Sequence, residues 1–325
     1  MDKILITSAG STNAINVIKA LRAQKEIDLF LITTDINKLS AGFFLSDKHY
    51  VVPSLDNKVF ISRIIDICKK ENIKIIIPTF SQELLVFSKN KKKLQNLGIK
   101  ILISDYETFL KTEDKVKTNE YFLKCGIPFP KVYNDAEIKE KRISFPVILK
   151  PITSSGSKGI VIVKNYEELH FFRKYIKNSF VQKFIKGTEY TIDGISGLDG
   201  VIVGFSPRIR LEVKGGLAVK SITVKDLLVK KYIDKIVKEF KIIGPFNIQC
   251  IKQGKKIYFI EINARFPSGG LPLTVKAGLN IPLILVKILM GKKVDNPKIK
   301  TDLVMTRYWD SIILKKEGKD YSIYE

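Results

Sequence analysis

Lys256-Ile257-Tyr258-Phe259-Ile260-Glu261-Ile262-Asn263-Ala264-Arg265 is the stretch on which the reading of this chain turns. Its first half is apolar, β-branched and aromatic, the composition of a buried strand. Its second half sets a carboxylate, an amide and a guanidinium at alternate positions. Side chains at i, i+2 and i+4 of a strand share a face, so Glu261, Asn263 and Arg265 converge if the strand runs through them. Two oxygen donors for a hard cation beside a fixed positive charge suit a metal-bound polyphosphate. A strand end that turns polar as it meets water accounts for the run equally well, so the surroundings must decide.

Upstream, Asn247-Ile248-Gln249-Cys250 reads as a second strand, joined to the first by the turn Gln253-Gly254-Lys255-Lys256. A hairpin would bring Gln249 to the neighbourhood of Glu261. A buried polar side chain needs a partner; a metal with its water shell would serve, and so would a hydrogen bond across the hairpin. Earlier still, Phe145-Pro146-Val147-Ile148-Leu149 ends in Lys150, followed by Pro151 and the small-residue loop Ser154-Ser155-Gly156-Ser157-Lys158-Gly159. Backbone N–H groups of such a loop can bind phosphate oxygens, with Lys150 aiming a charge at the same place. An ordinary hairpin with a surface lysine has the same composition. Val181-Gln182-Lys183-Phe184-Ile185 leads into Glu189. An open strand segment there can meet an adenine edge while Phe184 or Ile185 packs on the ring, and Glu189 can accept from ribose hydroxyls. An exposed glutamate at a strand start is the plain alternative.

These stretches sit in a two-part pattern. Up to about residue 104, apolar strands (Lys3 to Thr7, Leu29 to Thr33, Ile73 to Ile77, Ile99 to Ile103) alternate with helical periodicity at Thr12 to Ala23 and Val59 to Lys70. That order predicts a parallel sheet covered on both faces, an α/β domain. The first turn, Ser8-Ala9-Gly10-Ser11-Thr12-Asn13, lacks the three spaced glycines of a dinucleotide fingerprint. From about residue 105 the pattern becomes α+β. A helix capped by Thr112 is expected to run to Lys124. Short strands follow at Pro146 to Lys150, Ile160 to Val163, Phe180 to Phe184, Glu189 to Ile195, Val201 to Phe205 and Arg208 to Lys214. Helices are expected at Tyr166 to Lys177 and Asp226 to Phe240. In Arg208 to Lys214, Ile209, Leu211 and Val213 alternate with charged residues, which predicts a strand buried on its apolar side.

Composition narrows the function classes. The 325 residues carry a formal net charge of +23. Only eight of the 56 basic residues are arginine, whereas base and phosphate readers favour the bidentate guanidinium. Lysine is scattered over the helix surfaces, so nucleic acid is not the expected partner; attraction of an anionic ligand follows either way. Two histidines leave little for a multi-histidine metal site. Cys68, Cys125 and Cys250 lie far apart among apolar residues, as reduced buried thiols do. No apolar run approaches the roughly 20 residues of a membrane span. The start lacks a signal or transit pattern. A cytoplasmic protein without a membrane partner is the expectation.

Taken together, these motifs resemble the ATP-grasp superfamily, in its carbamoyl-phosphate-synthase-like branch of single-unit ligases. The sharpest likeness is Glu261 to Arg265, followed by Phe266-Pro267-Ser268-Gly269-Gly270-Leu271-Pro272-Leu273 and Ala277-Gly278. The resemblance implies a Rossmann-like pre-ATP-grasp domain over residues 1–104. It further implies a small ATP-grasp subdomain with the glycine-rich loop over 105–188, and a C-terminal subdomain with the metal site over 189–325. By the same likeness, Lys115 and Lys150 contact ATP phosphates, and the loop of Ser154, Ser155, Gly156, Ser157, Lys158 and Gly159 closes over them. Gln182, Lys183 and Phe184 frame adenine, and Glu189 takes the ribose. Gln249, Glu261 and Asn263 hold one or two Mg²⁺ ions, or Mn²⁺. Arg265, with Lys158, stabilises the transferring phosphoryl group. Gln182 stands where many relatives carry a carboxylate, Pro267 interrupts a stretch that is usually richer in glycine, and Gln249 replaces a second carboxylate.

The implied activity is an ATP- and Mg²⁺-dependent joining of a small carboxylate to an amine through an acyl phosphate, in a chain that relatives suggest is a homodimer. A non-catalytic nucleotide-binding or regulatory protein is the second reading. A basic nucleic-acid-binding protein is the third, supported by charge alone.

Overall fold

The computed structural model describes residues 1–153, 156, 158–318 and 320–324. Asp2–Ile6 (β1), Leu29–Asp35 (β2), Lys48–Val51 (β3) and Ile75–Ile77 (β4) form a parallel sheet ordered β3-β2-β1-β4. Its central strands are apolar because both faces are covered. Leu5 of β1 feeds one core cluster, with Phe60 and Ile64 of helix Phe60–Glu71. Ile4 and Ile6 feed another, with Val17 and Leu21 of helix Thr12–Ala23. That second helix starts where Ser11 accepts the Ala14 N–H, a standard cap. The strand expected at Ile99 to Ile103 is reduced to one parallel bridge, Lys100 opposite Ile75. Its isoleucines are buried all the same, so the apolar run marked burial and not a ladder.

Two helices, Tyr106–Glu113 and Lys115–Lys124, replace the single helix expected there. The cap is Asp114, whose carboxylate takes the N–H groups of Val116 and Lys117. Thr112 instead closes the preceding helix, its hydroxyl bonding back to the Thr108 carbonyl at 3.0 Å.

Val132–Tyr133 (β5), Val147–Pro151 (β6), Val161–Val163 (β7) and Ser179–Lys183 (β8) make an antiparallel sheet ordered β5-β8-β6-β7. Helix Tyr166–Tyr175 covers it through Leu169, over Val147, Leu149 and Val181.

The largest sheet holds Thr188–Ser196 (β9), Ile202–Lys214 (β10), Leu217–Thr223 (β11), Gly244–Gln253 (β12), Lys256–Asn263 (β13) and Val304–Thr306 (β14). It is antiparallel, ordered β13-β12-β9-β10-β11-β14. Two expected strands merge in β10. Pro207 sits opposite Ile192, and its carbonyl takes the Val224 N–H beyond the end of β11. The face assignment of β10 holds for Ile209, which packs against the core, and fails beyond it, where Leu211 and Val213 are exposed. The side chains of Arg208 and Arg210 are buried because acidic partners on β9 await them there. A C-terminal hairpin, Leu314–Glu317 (β15) with Asp320–Ile323 (β16), completes the chain.

Phe246, Ile248, Phe259 and Ile262 of the large sheet share a core with Leu5, Phe60 and Phe122. This packing sets the parallel sheet beside the β12–β13 hairpin and leaves a cleft along it. Cys68 and Cys250 are buried thiols as expected, whereas Cys125 is half-buried. Among the described residues no helix is long and apolar enough to cross a membrane.

Candidate active site

The β12–β13 hairpin forms as the sequence suggests, with Gln249 opposite Glu261 and Asn247 opposite Asn263. One feature of it is not visible in simple alternation. Cys250 pairs with Phe259 and Gln249 with Glu261, so Ile260 is an extra residue, a β-bulge. Before the bulge, Ile257 and Phe259 point into the core; after it, Ile262 and Ala264 do. The parity switch turns Glu261, Asn263 and Arg265 away from the core. A straight strand would have buried Glu261 on the side of Phe259.

The residues so turned line two adjoining cavities. The first, of about 290 Å³, is bounded by Ser11 to Asn13, Thr79 to Ser81, Gly156, Arg208, Arg210, Gly216, Gln249, Glu261, Arg265 and Ser268. The second, of about 340 Å³, is bounded by Phe80, Glu113, Lys115, Thr153 and Glu261 to Arg265. Glu261 and Arg265 are common to both, so this pair stands where the cavities meet.

Positive charge gathers around Glu261. The backbone N–H of Lys115 bonds the Ile152 carbonyl at 3.1 Å, which ties the head of its helix to the end of β6, where Lys150 sits. Both lysines are buried. Burial pulls the Lys150 ammonium down to about 8; Glu261 opposes that shift and Lys115 reinforces it. Burial lowers the pKa of Lys115 too, against Glu261 and Asp114. Lysines with depressed pKa values beside one carboxylate suit an anion larger in charge than Glu261 alone. Arg265 is braced by its own chain. Its Nη1 donates to the Phe266 carbonyl at 2.9 Å and its Nη2 to Asn263 Oδ1 at 3.1 Å.

Other expected residues are more dispersed. Gln182 is buried, and its Nε2 donates to the Pro130 carbonyl at 2.9 Å. That bond orients the amide and leaves its oxygen as the acceptor. Gln182 lies opposite Ile148 and Lys150 opposite Phe180, which sets the Gln182 and Lys150 side chains on one face of the small sheet. Lys183 is exposed, and its own N–H is held by the Lys131 carbonyl. Phe184 is half-buried, and Lys158 is exposed on its loop. Gly159 and Gly156 both adopt positive φ. Ser154, Ser155 and Ser157 lie outside the described residues.

Three constellations escaped the sequence. Arg210 reaches Glu189 and Gln249 together, at 2.5 and 3.3 Å. Asp193, fully buried in β9, receives Arg208 Nε at 2.9 Å, Thr274 Oγ1 at 2.7 Å and Asn247 Nδ2 at 2.6 Å. Gly270 is required beside this knot, because a Cβ there would lie 2.0 Å from Arg208 Nε. Asn13 and Asn16, from the parallel-sheet domain, donate to the carbonyls of Phe266 and Ser268 at 3.4 and 2.7 Å. They pin the loop that follows Arg265. An asparagine pair on the buried side of an apolar helix was the available signal.

The donor set fits a hard divalent cation. Glu261, Asn263 and Gln249 offer oxygen ligands only, and phosphates of a ligand would complete the shell. Among the described residues no cluster of three or more His, Cys, Asp or Glu could hold a metal without such help.

Residues 112–269 match the ATP-grasp domain, and residues 4–102 match the PylC-like N-terminal domain. The chain therefore carries an ATP-grasp domain preceded by a PylC-like N-terminal domain. It is similar to the carbamoyl phosphate synthase large chain of Pseudothermotoga lettingae, 27% identical over 87% of this chain and 26% of that one. The same protein of Pyrococcus furiosus is 29% identical over 82% of this chain and 26% of its own. This ATP-grasp chain thus spans about a quarter of the length of those relatives. Among solved structures, the biotin carboxylase domain dimer of Hydrogenobacter thermophilus 2-oxoglutarate carboxylase, in complex with MgADP, ADP and bicarbonate, superposes with a TM-score of 0.73. It is 19% identical, with 93% of this chain and 73% of that one covered. At that identity the likeness is one of fold.

Proposed function

We propose that this protein is an ATP- and Mg²⁺-dependent ligase that joins a small-molecule carboxylate to an amine, with ADP and phosphate released. The observation that carries the reading is the charge around the junction of the two cavities: Glu261 and Arg265 line both, Lys115 lines the second, and the buried Lys150 lies close enough to feel the charges of Glu261 and Lys115. A carboxylate attacking the γ-phosphate brings anions together, so such a site must supply fixed positive charge. Lys115 and Lys150 neutralise the phosphates, and Arg265, held rigid by the Phe266 and Asn263 oxygens, faces the transferring group. Glu261 and Asn263 would hold Mg²⁺, which lends its charge to the β- and γ-phosphate oxygens when bound. Gln182 accepts from adenine and Glu189 from the ribose.

In the first step an oxygen of the substrate carboxylate bonds the γ-phosphorus, the bond to the β,γ-bridging oxygen breaks, and ADP leaves. In the second the amine attacks the acyl carbon, phosphate leaves with the bonding electrons, and the amine gives up a proton. The first cavity, walled by Arg208, Gly216, Ser268 and the Ser11 to Asn13 turn, is the place for the acceptor. The loop around Gly156 and Lys158 keeps water from the acyl phosphate. The glycine-rich loop and the β12–β13 hairpin then belong to two subdomains that clasp the nucleotide, behind a separate N-terminal domain.

A phosphate-release screen of carboxylates against amines, with ATP and Mg²⁺, tests the reading. Turnover that requires one member of each class is the expected result. A protein that binds ATP and turns over no pair would favour the regulatory alternative, and one that binds no ATP would overturn both readings. MgADP in the Hydrogenobacter relative supports the nucleotide and metal assignment, and the cytoplasm, with its ATP, is the setting proposed.

A further inference from the structure

In the second step above the attacking amine must lose a proton, and a group near the acyl carbon has to take it. The side chains around the two cavities offer few candidates. Among the described residues that line them, none is histidine, cysteine or tyrosine. The carboxylates are Glu261, which would hold the metal, and Glu113. The one lysine is Lys115, whose charge serves the phosphates in the same reading. Glu113 is the base that has no other task. It ends helix Tyr106–Glu113 and lines the second cavity but not the first. It stands near enough to Arg265 for each charge to act on the other. The residue keeps a face open to solvent, while the buried part of it raises the carboxyl above its ordinary value, with Arg265 opposing. The cavities also differ in what surrounds the shared Glu261 and Arg265. The first adds Arg208 and Arg210; the second adds Lys115 and Glu113, with Leu84 and Phe109 as apolar wall.

We propose that the second cavity is the compartment of the amine and that Glu113 is the catalytic base of the second step. The carboxylate substrate lies in the arginine-lined first cavity, and the two substrates meet at Arg265, which both cavities share. The amine nitrogen bonds the acyl carbon, and the bond from that carbon to the phosphate oxygen breaks. Its electron pair leaves with phosphate, and an N–H proton passes to a Glu113 oxygen. The open face of Glu113 then hands the proton to water. Leu84 and Phe109 set the class of amine: one with a small apolar body behind the nitrogen, because a second charge against that wall would be desolvated without a partner.

The inference rests on the ligase reading, and two products separate their failures. The carboxylate–amine pair that the phosphate-release screen yields is supplied with ATP and Mg²⁺ to the wild type and to Glu113→Gln, and amide is measured. Hydroxylamine then replaces the amine. It is unprotonated near neutral pH and its adduct sheds a proton to water unaided, so hydroxamate reports the acyl phosphate without the base. Amide formation should fall about 100-fold in Glu113→Gln, while hydroxamate formation stays within about twofold. Gln82→Trp narrows the second cavity from an exposed position. It should raise KM for the amine about tenfold and leave KM for the carboxylate unchanged. Amide formation that survives in Glu113→Gln, amide and hydroxamate lost together, or a Gln82→Trp that raises both KM values alike would overturn the assignment and leave the ligase reading standing. A wild type that forms neither product would overturn both.

Discussion

The parallel sheet and the β12–β13 hairpin use the same kinds of residue to opposite ends. In β1 and β4 every central side chain is apolar and buried, and both faces serve packing. In the hairpin one face packs and the other carries a carboxylate, three amides and the approach to a guanidinium. The difference is made by one inserted residue, Ile260. It lets Ile257 and Phe259 stay in the core while Glu261, which shares their parity along the chain, turns to the cleft. A regular sheet stabilises; an irregular one aims side chains. The most direct way to break this contrast is to remove what is aimed. Glu261→Ala should lower ATP turnover by about 10³-fold, with a thermal midpoint close to wild type because the side chain is not part of the core. A comparable loss from an exposed control such as Glu317→Ala would show that the effect is not local.

A sharper break removes the aiming device and keeps every ligand. Deleting Ile260 leaves Ile257, Phe259, Ile262 and Ala264 on one face and Tyr258, Glu261, Asn263 and Arg265 on the other. The pattern is then a regular strand, yet the local bend and twist of the bulge are gone. Mn²⁺ affinity in the presence of nucleotide should fall by about 10- to 100-fold, while far-ultraviolet circular dichroism remains that of the wild type. Retained affinity would mean that the bulge does not position the ligands.

The same contrast explains what could be read from the sequence. The hairpin, the lysine before the glycine-rich loop and the alternating parallel domain were legible, because each rests on local composition. The bulge was not, although Ile257, Phe259 and then Glu261 at one parity is a conflict that only a register shift resolves. Alternation alone places Arg208 and Arg210 on a solvent face, because charge usually lies outside. Their partners, Asp193 and Glu189, sit on the neighbouring strand and make the charged face the inner one. The break at Asp114 was hidden because Thr112 and Asp114 are both good caps, and only the geometry of the turn chooses.

Lys150 supplies an effect of intermediate size. Its folded pKa of about 8 lies below the ordinary 10.5, with burial the main cause. Bound phosphates favour the charged form, so binding above that pKa requires uptake of a proton. ADP affinity should be flat below about pH 8 and about tenfold weaker one unit above it. Calorimetry in buffers of different ionisation enthalpy would report the proton. Lys150→Arg keeps its charge throughout and should abolish the pH dependence; a wild type with affinity that stays flat well above that pKa would show that Lys150 does not meet the phosphates.

The smallest functional effect is expected where the parallel sheet hides a charge of its own. Glu83 is buried and takes the Thr7 hydroxyl at 2.6 Å. Burial raises its carboxyl from 4.5 to about 7, with the Thr7 and Ser8 hydroxyls opposing. Because the folded value lies above the unfolded one, the folded state is unpenalised below about pH 4.5 and loses stability as the pH climbs through about 7. Glu83→Gln keeps an acceptor for Thr7 and has nothing to ionise. It should match the wild type at about pH 4.5 and exceed its thermal midpoint by a few degrees at about pH 8, with ADP affinity within about twofold. If instead Glu83→Gln weakened ADP binding as much as a change in the hairpin does, the division between a sheet that packs and a sheet that aims would be wrong, and the buried carboxylate would have to be counted part of the site.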